Sequence, residues 1–317
     1  MAASRRWIVA VFVLIATMVG AYLLDLTPSR AQTVEVVNWA RYTFAPPVDQ
    51  PQPVPRWARV YVIVLENRDY HEIIGADDAP FLNALAARGA VAINTWDVAG
   101  GSQPNYFAMT SGDTHFVTDN GTYDIEAPSL FDQLESASQT WRVFAEHVPP
   151  GCFTGASVPG GEGRGEYVRA HNPAISFTSI RESPERCANI QDHRAFDPLA
   201  ANFQLIVPDS CNNTHDCPVS TGDRWLSRFV PAILETPTFW DDSLLIITFD
   251  GGSDAGPDDG HRIAVTMVGA GVRAGTVSRT RYNHYNVLRT VQEGLGLPCL
   301  ARSCKAGTMS DLFLAQP

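Results

Sequence analysis

Lysine is almost missing from this chain: Lys305 is the only one among 23 cationic residues, which face 34 acidic ones for a formal charge of −11. Such a net-anionic protein lacks the diffuse positive field that drives non-specific nucleic-acid binding, so no nucleic-acid partner is expected. A second long apolar run is also lacking after Trp7–Leu24, so only the N-terminal segment is a candidate to meet a bilayer. There is no Cys-x-x-Cys pair, which argues against a zinc cluster. Neither G-x-x-x-x-G-K-[ST] nor G-x-G-x-x-G follows a strand-like run, and no serine sits in G-x-S-x-G. Nucleotide-driven phosphoryl transfer, dinucleotide redox chemistry and the nucleophile-elbow hydrolases drop out together.

What is present begins with an export pattern. Arg5 and Arg6 precede the uncharged run Trp7–Leu24, which Asp25 ends, and Ser29-Arg30-Ala31 offers small residues for cleavage. Residues 1–31 are therefore expected to be a signal peptide or membrane anchor, and the positive flank sends the remainder outward in either case. Residues 32–56 read as a proline-rich arm, and 57–317 as one domain. All six cysteines fall in the exported part, where an even count reads as three disulfides. Fifteen pairings are possible; proximity favours Cys211 with Cys217 and Cys299 with Cys304, leaving Cys152 with Cys187. The expected location is secreted or extracytoplasmic.

From Arg59 onward apolar runs of strand length alternate with helical spacing. Strands are expected at Val60–Leu65, Val91–Trp96, Trp141–Ala145, Phe203–Val207, Leu244–Phe249 and Ile263–Val268. Helices are expected at Pro80–Arg88, Ser129–Ser136, Asp223–Leu234 and Asn283–Gly294, with a further possible start near Asn105. Alternation with strands apolar on both faces predicts an α/β fold, a three-layer αβα sandwich around a mainly parallel sheet. Ligands in such folds gather beyond the carboxyl ends of the strands.

The polar residues fall at those ends. Glu66 and Asn67 follow the first strand, and a short loop after the second leads to Ser102-Gln-Pro-Asn-Tyr106. Asp209, Asn212, Asn213, His215 and Asp216 follow Phe203–Val207, and Asp250 closes Leu244–Phe249. Taken singly, each acid is more often a cap or turn former. Four such ends on one edge outweigh that reading. Oxygen-rich ligands with a histidine suit a divalent cation of unspecified identity, beside which a hydroxyl ionises and attacks phosphorus.

Five stretches carry a resemblance to a known family: Val62–Asn67; Ser102–Tyr106 with Thr110–Gly112; Tyr167–Pro173; Val207–Asp216 with Gly222–Leu226; and Ile246–Asp250 with Asn283–Leu288. Together, from about Val60 to about Pro298, they resemble the secreted bacterial phosphoesterases, the small acid phosphatases and phospholipases C of the alkaline-phosphatase-like superfamily. The resemblance implies Glu66, Asn67 and Asp250 as metal ligands, Ser102 as nucleophile and Asn105 as a donor to a phosphate oxygen. It places His171, His215, Asp216 and His284 near the phosphate, with His171 or His284 protonating the leaving oxygen. Asp209, His215 and Asp216 complete the candidate metal-binding set. The implied activity is an acid phosphatase working through a phosphoserine; the alternatives are a phospholipase C or phosphodiesterase, or a binding protein that has lost turnover. The implied partner is a small-molecule or lipid phosphoester, and no protein partner is indicated. Three positions depart from the family: Gly251 where Glu is usual, Asn213 where Asp is usual, and Gly100 where His is frequent. Asp209, Asp254 and Asp258 are the acids near enough in sequence to compensate.

Overall fold

A computed structural model describes residues 53–160, 165–253 and 261–315. The export segment, nearly all of the proline-rich arm, and Asp254 and Asp258 lie outside the described residues. The central sheet is built from β1 (Arg59–Leu65), β2 (Ala90–Trp96), β3 (Trp141–Ala145), β6 (Ile190–Gln191), β7 (Phe203–Val207), β8 (Ser243–Phe249), β9 (Arg262–Gly269), β10 (Thr276–Ser278) and β11 (Tyr282–Asn283). Its order is β10-β2-β9-β8-β1-β7-β3-β6, with β11 also on β2, and a separate hairpin joins β4 (Ser157–Pro159) to β5 (Glu166–Val168). β9 is antiparallel to both β2 and β8, while the other pairings in the sheet are parallel. The predicted strands thus recur within a residue or so of their expected bounds. The reversal of β9 was not legible, because a fully apolar strand looks alike in either direction.

The strands alternate because both faces are covered. On β1, Val60, Val62 and Val64 join one core with Leu244 and Ile246 of β8, while Tyr61, Ile63 and Leu65 join the other with Leu245 and Ile247. The first core is closed by α2 (Ser102–Ser111), α3 (Leu130–Ser136) and α5 (His284–Leu295), and the second by α1 (Pro80–Arg88) and α4 (Val219–Phe229). This is the expected three-layer sandwich. Truncating a core residue such as Ile246 or Leu226 to alanine costs about 2–5 kcal/mol.

Local chemistry sets the helix ends. Ser129 and Asp132 form a capping box at α3, and Asn283 accepts from the Tyr285 amide at α5. The single helix expected at Asp223–Leu234 instead begins at Val219 and breaks before Pro231, whose ring cannot sit inside a helix. All ten residues of α2 are buried. Gly112 ends it in the left-handed region (φ 72°), where an added Cβ would lie 2.3 Å from the Leu300 carbonyl oxygen. The three disulfides are Cys152–Cys187, Cys211–Cys217 and Cys299–Cys304, as proximity suggested.

Candidate active site

β1 and β8 run parallel in a register that pairs Leu65 with Phe249, so the next residues, Glu66 and Asp250, emerge side by side. Asp250 N donates to Leu65 O at 2.9 Å, and both acids are at most 1 % exposed. Two like charges in a dry interior repel and lack solvation. Burial first, and then the Asp250 charge, pushes Glu66 well above its ordinary range; burial also raises Asp250. Asn67 N donates to Asp250 Oδ1 at 3.1 Å, and Asn67 itself turns the chain through the left-handed region (φ 48°). Asp250 Oδ2 is buried without a partner. Hard oxygens, excess negative charge and an orphaned carboxylate oxygen make a donor set that fits a divalent cation.

Ser102 opens α2, where unpaired amides and the helix dipole favour anions. Its Oγ donates to Glu66 Oε2 at 3.1 Å, and Tyr106, one turn on, donates its hydroxyl to Oε1 at 2.5 Å. The spacing of four puts both donors on one helix face. His171 Nε2 lies 3.3 Å from Glu66 Oε2, its ring stacked on Tyr106 at 5.7 Å. Burial holds the His171 imidazole down at about 3, so a neutral ring packs against the Glu66 carboxyl group. The His215 ring follows at 6.2 Å from His171 and pairs with Asp216 at 2.7 Å. Glu66, His171, His215 and Asp216 thus run from the buried centre toward solvent.

Two expectations meet a different geometry. Asn105 Nδ2 donates to Ala99 O and Gly101 O, both at 2.8 Å, while Oδ1 accepts from the Val98 and Ala99 amides. Both amide hydrogens shape the turn that carries Ser102, where the resemblance implied a donor to a phosphate oxygen. The fully buried His284 has its Nε2 2.5 Å from the Asp250 carbonyl oxygen, and burial lowers it to about 4. His284 therefore supports the Asp250 strand end.

Asp209 has other partners. Its Oδ1 accepts from the Cys211 and Asn212 amides, and Oδ2 from Asn212 Nδ2 and from His147, at 3.0 Å. Glu146 stands beside it: Glu146 Oε2 accepts from Asp209 N and Asn212 Nδ2, while Oε1 is 3.5 Å from His193. Glu146, His147 and Asp209 could hold a metal ion by spacing; Glu146 Oε2 and both Asp209 oxygens already accept hydrogen bonds, while Glu146 Oε1 has only the His193 contact. Asn213 donates nothing from its buried Nδ2; its carbonyl accepts from Glu66 N at 2.8 Å and its Oδ1 from His215 N.

Sequence reasoning missed a pair on the opposite flank. Asp97 immediately follows β2, the same signal that marked Glu66 and Asp250, and His261 immediately precedes β9. His261 Nδ1 lies 3.0 Å from each Asp97 carboxylate oxygen. Burial pushes Asp97 up to about 7 against the opposing pull of His261. A Cβ added at Gly251 would lie 3.1 Å from Asp97 Oδ2, so a carboxylate does stand beside the position where the family usually has Glu.

Comparison with known proteins identifies the family and the fold. A phosphoesterase family model matches residues 75–298. A phosphatidylinositol-3-phosphatase of Mycobacterium tuberculosis is 32 % identical over 266 residues, covering 82 % of this chain and 84 % of that protein. A probable acid phosphatase of Kluyveromyces lactis is 31 % identical across 77 % of this chain, which spans 59 % of the yeast protein's length. Among solved structures, the lipoteichoic acid synthase LtaP of Listeria monocytogenes shares the fold with a TM-score of 0.60 at 12 % identity, covering 90 % of this chain and 82 % of that one. An alkaline-phosphatase-superfamily protein of Vibrio parahaemolyticus gives a TM-score of 0.53 at 13 % identity, over 90 % and 81 % respectively.

Proposed function

Since the chain belongs to the phosphoesterase family and is a phosphoric ester hydrolase, we propose that it cleaves phosphomonoesters with Ser102 as nucleophile and a divalent cation at Glu66, Asn67 and Asp250. One observation carries the reading: the Ser102 hydroxyl, at the positive end of α2, donates to a buried acid pair that has an orphaned oxygen. When bound, a divalent cation offsets the repulsion of that pair and favours the ionised serine oxygen.

The chain's own residues do the rest. Ser102 Oγ forms a bond to phosphorus as the ester oxygen leaves, and water then cleaves the phosphoserine. A proton leaving Ser102 has Glu66 Oε2 as its neighbouring acceptor, held in place by Tyr106 and His171. Asn105 fixes the turn before α2, and the helix amides face the anion. The names of the relatives, a phosphatidylinositol-3-phosphatase and acid phosphatases, support a monoester that is either soluble or lipid-borne. Three disulfides support export, and residues 57–317 serve as the catalytic domain in this reading.

Rates on p-nitrophenyl phosphate, bis-p-nitrophenyl phosphate and phosphatidylcholine, each with and without chelator, test the proposal. It requires the monoester to be fastest and chelation to suppress it. Preference for either diester substrate would make the enzyme a phosphodiesterase or phospholipase C. Turnover unchanged after exhaustive chelation would remove the metal.

A further inference from the structure

The reaction as derived lacks a proton donor for the departing oxygen. An alkoxide leaves phosphorus poorly unless it is protonated as the bond breaks. His171 and His284 are both buried, His171 with Nε2 3.3 Å from Glu66 Oε2 and His284 with Nε2 on the Asp250 carbonyl and Nδ1 unpartnered but shut away from solvent. His215 stands further out, but its partner Asp216 is 54 % exposed, so that pair is solvent-screened and weakly fixed.

The Asp97–His261 pair is built differently. Because β9 is antiparallel to its neighbours, its start meets the carboxyl ends of β2 and β8. Asp97 N donates to His261 O at 3.0 Å, extending the ladder one step beyond Trp96 and Arg262. With Asp97 ionised, its carboxylate only accepts, and the imidazole nitrogen at 3.0 Å from both oxygens, Nδ1, is then the one that carries hydrogen. That assignment makes Nε2 the nitrogen that exchanges protons. The Asp97 side chain is 3 % exposed and the His261 side chain 13 %, which seals the acid and leaves the ring at the rim. Gly251, next to Asp250, has no Cβ to separate this pair from the catalytic edge, and Asn105 Nδ2 would lie 3.7 Å from such an atom. Asp97 and the helix that Ser102 opens therefore both lie against Gly251, the residue after Asp250.

We propose that His261, oriented by Asp97, is the acid that protonates the leaving oxygen, an assignment that rests on Ser102 being the nucleophile. In the first step the bond from Ser102 Oγ to phosphorus forms and the ester P–O bond breaks. The ester oxygen keeps the bonding pair and takes the proton from His261 Nε2, leaving a neutral imidazole. In the second step water gives a proton to Nε2 as its oxygen bonds to phosphorus, and the serine oxygen departs and recovers its proton. The ring returns to its starting state. His261 is then a catalytic residue, and Asp97 a positioning residue acting through it.

Leaving-group dependence tests this on the full-length, metal-supplemented enzyme. kcat/KM is measured for p-nitrophenyl phosphate, whose phenolate leaves without help, and for glycerol 2-phosphate, whose alkoxide does not. His261→Gln should lose roughly 10²–10³-fold on the alkyl ester and much less on the aryl ester. Asp97→Asn should show the same selectivity at smaller amplitude. His261→Asn is the control for structure, since its amide keeps a donor toward Asp97 but exchanges no proton: it should stay selectively impaired. Equal losses on both esters in His261→Asn, or recovery of both rates, would overturn the assignment and leave the pair a structural clamp. Ser102→Ala separates this from failure of the underlying reading. If that variant keeps its activity the nucleophile is wrong, whereas a dead Ser102→Ala with an unselective His261→Asn refutes only the proton donor.

Discussion

The same sheet edge carries two groups of buried acids and histidines, and they differ in how well their oxygens are satisfied. Beyond β3 and β7, Glu146 and Asp209 accept from backbone amides, Asn212 and His147, so each charge is spread over several donors. Beyond β1 and β8, Glu66 and Asp250 face each other with fewer donors, one oxygen orphaned and both raised by burial. In the proposed reading the first group is architecture, pinning two loops to strand ends. The second, buried and short of donors, is in that same reading where a cation and a reacting phosphate would relieve the repulsion. A cluster of ligand-type residues is therefore not a site by composition alone; the unsatisfied one is where chemistry is expected.

Substitutions should separate the two groups. The largest effect is expected from Ser102→Ala, which should cost more than about 10³-fold in kcat with a near-native melting temperature, because it removes the nucleophile and little packing. More than a tenth of the wild-type rate remaining would disqualify Ser102. Asp250→Asn comes next: metal titration should show weaker binding, and activity should fall by roughly 10²-fold or more. Asp209→Ala is the contrasting variant, expected to keep kcat within a few-fold while losing about 1–3 kcal/mol of stability, since it strands the Cys211 and Asn212 amides. A collapse of metal affinity in Asp209→Ala would erase the distinction between the clusters.

Cys211→Ser with Cys217→Ser probes the segment between them. That disulfide closes a short loop that also carries Asn213 and His215, and its removal should lower stability by about 2 kcal/mol. Arg68 Nη2 still donates to the Thr214 and Cys217 carbonyls, so activity should fall less than it does in Asp250→Asn. A greater loss of activity than in Asp250→Asn would move His215 into the reacting centre.

How much of this was legible in the sequence follows from which physical signals are local. The apolar runs of β1 and β8 and the acids closing them were readable, because a strand buried on both faces must be apolar and its end must be polar. Ser102 was singled out by its resemblance and its turn, and the fold sets it at the start of α2 beside Glu66. Asp97 bore the same strand-end mark and was passed over; its meaning depends on His261, more than 160 residues away, and on the direction of β9. Asn105 and His284 were given chemical roles from the resemblance; in the fold the Asn105 amide bonds Ala99 and Gly101, and one His284 nitrogen lies on the Asp250 carbonyl. No residue-type pattern shows where a side chain's hydrogen bonds are spent. Asp209 shows the same limit: its turn with Cys211 and Asn212 was local, its pairing with His147 was not.

The smallest predicted effect concerns proton linkage at the unsatisfied pair, in protein stripped of metal. Burial, and then Asp250, raises Glu66 above its unfolded value near 4.3. Between those two values the native state binds more protons than the unfolded chain, so stability must fall as pH rises through that window. His171 and His284 have the opposite sign: both are lowered by burial, to about 3 and about 4, so they cost stability as pH falls below about 6.5. Those histidines remain in Glu66→Gln, so comparing the variant with wild type largely cancels them. The chelated variant should match wild type in melting temperature near pH 4 and exceed it by a few degrees at pH 8. Saturating divalent metal should reverse that order, because binding stabilises only the chain that keeps its carboxylate. A constant difference across pH, unaffected by metal, would mean that Glu66 is already satisfied, and the contrast with the β3–β7 cluster would disappear.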